Sequence, residues 1–267
     1  MPRSIPSAHP FRAIILTLCL AGCAAAPESP PTPAGQATAP RSSPTEAAAI
    51  PGADYHAIAA ELIAMADADQ AVRGRLITWL QANPGQNPPA DIVHEMSEID
   101  EANAARVKAI VDEIGWPVNS AVGSDASGSA WLIVQHAVHD LPLMQRALAL
   151  MEPHLGTGEI DDKDYALLYD RVNLQIGRPQ RWGTQCTELL IDGVKHFGVQ
   201  PIEDPAGVDA RRAAIGLPPL AEYLQRIRRS YGVPDDVPEI PRDMTIERYN
   251  AIVAEMRARR PDGGQES

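Results

Sequence analysis

The chain has 267 residues, with 23 Lys and Arg against 35 Asp and Glu, a formal net charge of −12 and 45% apolar residues. That length carries one medium domain or two small ones, and the apolar share excludes a largely disordered chain. The acidic balance argues against a nucleic acid as partner, because no basic surplus exists to release counterions, and four Trp, six Tyr and two Phe leave little for stacking bases.

Arg3 and Arg12 precede a short apolar run, AIILTLCL, over residues 13–20. A lasting transmembrane helix needs roughly 20 apolar residues, so this run fits a signal peptide instead. The string Leu20-Ala21-Gly22-Cys23 that follows resembles a bacterial lipobox. The resemblance implies that residues 1–22 are a lipoprotein signal peptide and that Cys23 becomes the lipidated first residue. Several acyl chains on one residue hold a protein on a bilayer stably, unlike a single myristoyl group. Ala24, where retained lipoproteins carry Asp, implies by the same similarity the outer membrane, with the globular part facing the periplasm. The expected partner is thus the membrane, reached through Cys23. With Cys19 lost and Cys23 lipidated, Cys186 stands alone and no intramolecular disulfide can form; it reads as a small buried apolar residue.

Residues 23–53 form a Pro/Ala-rich linker with almost nothing to bury. Asp54 reads as the N-cap of a helix carrying Tyr55, Ile58, Leu62 and Ile63, continuing to Trp79-Leu80 and stopped by Asn83-Pro84-Gly85. A second helix runs from about Ala90 to Ile114 and stops at Gly115. A third follows Gly123-Ser124 and is expected to reach about His139, with Ala126, Ala130, Trp131, Ile133, Val134, Ala137 and Val138 on its apolar stripe. Its other face would carry Ser129, His136, His139 and Asp140. Asp140 also reads as the cap of a fourth helix, with Pro142 in the first turn and Leu143, Met144, Ala147, Leu148 and Met151 inward. A fifth helix starts at Asp161 and closes at Gly177. Residues 186–191 and 194–200 then flank Asp192-Gly193, a hairpin signal. Short helices over 208–215 and 219–231, a loop over 233–244 and a helix over 246–259 capped by Thr245 complete the chain. The expected fold is mainly α: a single multi-helix domain over 54–232 with one small β-hairpin near 186–200, followed by a C-terminal loop and helix over 233–267.

Catalytic motifs are sparse. P-loop, Gly-x-Ser-x-Gly and Ser-x-x-Lys patterns are missing, and no motif specifies a cofactor. His94-Glu95 opens like a zincin helix, but position 98 is Glu, and Asp161, Asp162 and Asp164 lack the glycine of an EF-hand loop, so no metal set is expected. His136, His139 and Asp140 at i, i+3 and i+4 would share one face. Arg171 falls between Leu167 and Leu168 in an apolar arc, where an acid or several carbonyls must meet it, with Asp170 as one candidate. The loop from Gly177 through Gln180 to Gly183-Thr184-Gln185 supplies amides and hydroxyls that either lock a junction or line a pocket.

The strings Gly115-Trp116-Pro117, Val122-Gly123, Gln135-His136-Ala137, Asp170-Arg171-Val172, Gly177-x-x-Gln180 and Gly183-Thr184-Gln185, with Ile202-Glu203-Asp204-Pro205, Arg212 and Gly216-Leu217 downstream, resemble an uncharacterised bacterial family of unknown function over about residues 56–231. Trp182 stands where that family usually has Tyr. The resemblance implies that His136, Asp170, Arg171, Gln180, Thr184 and Gln185 are the polar signature of a helical body. Two functions are compatible with it: a binding or envelope-support module for a small-molecule or envelope ligand held by Arg171, Gln180, Thr184 and Gln185, or an envelope hydrolase with His136 as general base, Asp170 as its orienter and Arg171 as anion clamp. In the first of these the polar cluster either braces the fold or holds the ligand. Because Arg171 needs close partners and the loop after Gly177 can fold back on its helix, His136, Asp170, Arg171 and Gln185 are expected to converge in one pocket.

Overall fold

The computed structural model describes residues 52–83 and 86–259; the expected signal peptide, Cys23 and nearly all of the linker lie outside the described residues. Helix α1 (Tyr55–Ala82) begins where Asp54 accepts a hydrogen bond from the Ala57 amide at 2.9 Å. It packs along α2 (Ala90–Ile114) and, beyond the single turn α3 (Asn119–Val122), along α4 (Ser124–His136). Asp140 caps α5 (Leu141–Met151) by accepting from Leu143 N at 3.0 Å, and Asp161 caps α6 (Asp162–Gln175). Side-chain oxygens thus satisfy amides that the first helical turn cannot pair. Ile58, Leu62, Val107, Ile110, Ala130, Val134, Met144, Ala147 and Leu168 interlock as the core of this body.

Two expectations for α4 need correcting. The helix ends at His136, three residues early, and Val138 and His139 are exposed. The reason lies in the next helix: Asp140 must leave helical geometry to act as a cap, so residues 137–140 close as a turn, with Asp140 N donating to Ala137 O. His139 and Asp140 therefore do not continue the helical face that carries His136.

Strands β1 (Cys186–Ile191) and β2 (Val194–Val199) pair antiparallel, with Cys186 opposite Val199 and Ile191 opposite Val194. Asp192 and Gly193 turn the chain with φ of 50° and 80°, the paired left-handed conformation of a tight hairpin. One face of this ribbon places Phe197 and Val199 against α7 (Val208–Ala214) and α8 (Leu220–Ser230), through Val208, Leu220, Leu224 and Ile227. The other places Leu189 and Ile191 under Ile240 and Met244, with Tyr249, Ile252, Val253 and Met256 of α9 (Ile246–Ala258) beside them. Cys186 is half-buried at the edge of the first of these clusters. The fold is mainly α with a small hairpin, as the periodicities predict. Among the described residues, no helix is long and apolar enough to cross a membrane.

Candidate functional site

Asp170 is fully buried on α6 and faces the loop that leaves that helix. Its carboxylate accepts from the amides of Arg181 (2.7 Å), Trp182 (3.1 Å) and Thr184 (3.0 Å) and from the Thr184 hydroxyl (3.0 Å). Burial pushes its pKa up to about 6, while these four donors pull the other way, so it is ionised at neutral pH. Gln180, also fully buried, donates to the carbonyls of Gln185 and Gln200 and accepts from Gln185 N at 2.6 Å. The loop passes so tightly that a Cβ on Gly183, at φ +66°, would lie 2.8 Å from the Ile202 methyl. Arg212 donates to Trp182 O and Pro218 O and lies over the Tyr223 ring at 4.8 Å. Asp170, Gln180 and Thr184 thus tie the helical body to the hairpin through a dense polar knot. They brace the fold.

Arg171, the next residue, meets the edge of this knot at Gln185. It is 4% exposed, and it donates to the backbone carbonyl of Gln135 at 2.5 Å and to Gln185 Oε1 at 3.4 Å. Carbonyl oxygens, and not Asp170, are therefore its partners. Among the described residues its Nη2, which is buried, has no hydrogen-bond partner, and neither do the two side-chain polar atoms of Gln135, itself 2% exposed. An unmet buried amide or guanidinium N–H costs about 1–3 kcal/mol, and folded proteins rarely keep one without a reason. Here two such donors and one unmet carbonyl oxygen sit on two residues that touch.

One residue along α4, His136 faces a cluster that no sequence motif marks. Its Nδ1 lies 3.0 and 2.9 Å from the two oxygens of Asp69, which is 1% exposed on α1. Arg73, one turn further, donates through Nε to Asp69 Oδ1 at 3.1 Å and through Nη2 to Asp100 of α2 at 2.5 Å. Arg73 Nε also lies 3.0 Å from His136 Nδ1. That nitrogen cannot both donate and accept, and a carboxylate is the better partner for an N–H. Nδ1 therefore carries the proton, and the Nε2 lone pair is available. Burial, followed by the charges of Arg73 and Arg171, lowers the His136 pKa against the opposing pull of Asp69. Burial also raises both carboxyls, but the His136 bond and charge, with Arg73, bring Asp69 below its ordinary value. Asp100, with Asp69 beside it, rises to about 6. Arg73 occupies the position between two carboxylates and an imidazole where a cation belongs. Among the described residues, no group of three or more His, Cys, Asp and Glu side chains is placed to hold a metal.

The structure thus divides the expected set. Asp170, Gln180 and Thr184 form the brace; Arg171 joins Gln185 to α4; His136 belongs with Asp69, Arg73 and Asp100. Asp170 does not orient His136; Asp69 does. Asp69 was detectable by the criterion that exposes Arg171, since it continues the buried series Leu62, Ala66, Asp69, Val72, Leu76 along α1. A family model described as a family of unknown function (DUF6624) matches residues 56–235, and the chain belongs to that family. No curated protein and no solved structure matches it.

Proposed function

We propose that this DUF6624 member is a lipid-anchored, periplasm-facing protein of the outer membrane whose helical domain binds a small monoanionic ligand at Arg171 and Gln135. The observation that carries the binding half is the set of three orphaned buried atoms, Arg171 Nη2 and the two ends of the Gln135 amide. A ligand carboxylate would accept from the guanidinium and from the amide N–H, while a neighbouring hydroxyl or N–H of the ligand would donate to Gln135 Oε1. Charge matching sets the valence. Arg73 already meets two carboxylates, whereas among the described residues no carboxylate touches Arg171, so its positive charge matches a ligand with one negative charge. The brace around Asp170 keeps Gln185, and through it Arg171, in place. The anchoring half rests on the lipobox-like string ending at Cys23.

Native mass spectrometry of the protein purified from its host tests the binding. Wild type is expected to carry a small retained mass, and Gln135→Leu to lose it while becoming more stable by about 1–3 kcal/mol, because no unmet amide remains buried. Arg171→Gln is expected to lose the same mass and about 1–3 kcal/mol, since two carbonyl oxygens lose their donor. A wild type with no retained mass, together with a Gln135→Leu that melts lower, would mean that buried water serves Gln135, and the binding reading would fall.

A further inference from the structure

We propose that Asp69 and His136 form a general-base pair in which His136 Nε2 activates water against an ester bond of a carboxylate-bearing substrate, the carboxylate seated on Arg171. This rests on the anion-binding reading above and gives that site a reaction. The geometry carries it. Asp69 is buried and meets Nδ1 with both oxygens, which fixes both the ring plane and the tautomer. Among the described residues, no hydrogen bond involves Nε2. His136 is adjacent in sequence to Gln135 and carries the field of Arg171. The groups facing it are Asp69 and Arg73 from α1, Asp100 behind Arg73 from α2, and Arg171 from α6. Arg73, Asp100 and His136 keep side-chain exposures of 13%, 15% and 8%, so the outer edge of the cluster reaches the surface.

In the reaction, a water gives one proton to Nε2 and its oxygen bonds to the acyl carbon. The bond from that carbon to the leaving oxygen breaks, and the imidazolium returns the proton to the departing alkoxide. Acid and alcohol are the products, and nothing is oxidised or reduced. Asp69 stays ionised throughout, holding Nδ1–H and offsetting the transient charge on the ring, which makes it a positioning residue.

The probe is 4-nitrophenyl hemisuccinate, an activated ester with one carboxylate, hydrolysed by the full chain in detergent. General-base catalysis contributes about 100-fold or more, so wild type should exceed His136→Gln by at least that factor at pH 8. The wild-type rate should rise with pH on a limb centred below the ordinary histidine value of about 6.5. Asp69→Asn should lower the plateau and move the limb to still lower pH, because the carboxylate holds the His136 pKa up; a merely structural Asp69 would leave the limb in place. Nitrogen-15 correlation spectra of the wild-type imidazole should show Nδ1 protonated, a measurement that needs no variant to fold. Equal rates for wild type and His136→Gln, an unmoved limb, or a proton on Nε2 would each overturn the proposal. Arg171→Gln separates the two readings. Hydrolysis that depends on His136 with KM unchanged by Arg171→Gln would sink the anion site alone. Succinate inhibition lost in Arg171→Gln, with His136→Gln fully active, would sink the base alone.

Discussion

Asp164 shows how a single half-buried carboxyl shapes the acid response of this protein. Burial and the neighbouring Asp161 push its pKa up to about 7, with Lys163 opposing. The folded state therefore holds the proton more tightly than the unfolded chain. The stability this contributes is full below the unfolded value near 4 and is lost as pH rises through about 7. Asp164→Asn should match wild type at pH 4 and exceed it by about 1–3 kcal/mol at pH 8, a difference that thermal melts at pH 4, 6 and 8 would show. Equal melting temperatures at pH 8 would mean that Asp164 ionises freely in the fold. His136 works in the opposite sense: its lowered pKa favours the neutral ring, so its contribution is lost as pH falls below about 6.5. At this scale the sequence showed which side chains are anomalous and missed what they meet. Arg171 was detectable as a charge inside an apolar arc, but its carbonyl partners depend on α4 ending at His136 and on Gln185 folding back. The pairing of His136 with Asp69 spans 67 positions, and local periodicity carries no information on such a contact.

The hairpin and the C-terminal segment test the same idea one level up. Phe197 N donates to Pro238 O at 3.0 Å, so the segment before α9 runs against the second strand. It fits because Gly198 has no side chain: a Cβ there would lie 3.0 Å from Ile240 N and 3.2 Å from Ile240 Cβ. Gly198→Val should push this segment and α9 off the sheet, exposing Leu189, Ile191, Ile240 and Met244. Faster proteolysis of residues 236–259, with the helical body unchanged in circular dichroism, is the expected result; unaltered cleavage would show that the backbone can yield. The helix caps at Asp54, Asp140, Asp161 and Thr245 and the Asp-Gly turn were legible because each is a local hydrogen-bonding event. The early end of α4 was not, because one cap had to prevail over an apolar period that runs through Val138.

On the scale of the molecule, a helical body encloses the buried polar residues Asp69, Gln135, His136 and Arg171, and a long Pro/Ala-rich stretch of sequence precedes it. The matched family region closes at 235, so the α9 layer on the hairpin lies beyond it. If the proposed anchor at Cys23 is correct, the linker supplies reach and the domain supplies chemistry. Radiolabelled palmitate should enter wild type and not Cys23→Ser, and Cys23→Ser should leave the membrane fraction on cell breakage. Equal labelling of the two would remove the anchor and leave the site untouched, since none of its residues lies before Asp69.

The Asp170 knot has a consequence for how this protein can vary. Three of its four donors are backbone amides, at Arg181, Trp182 and Thr184, and amides look alike whatever residue bears them. The Trp182 ring lies edge-on to Tyr165 and Tyr169, where another planar ring could stand. Substitution at 181 and 182 should therefore be cheap, whereas a one-residue insertion anywhere between 177 and 184 would throw every amide out of register with the carboxylate. Such a carboxylate reads the length and course of a strand of chain and not its letters, so related proteins should be recognisable by a constant spacing from this aspartate even where the residues between differ.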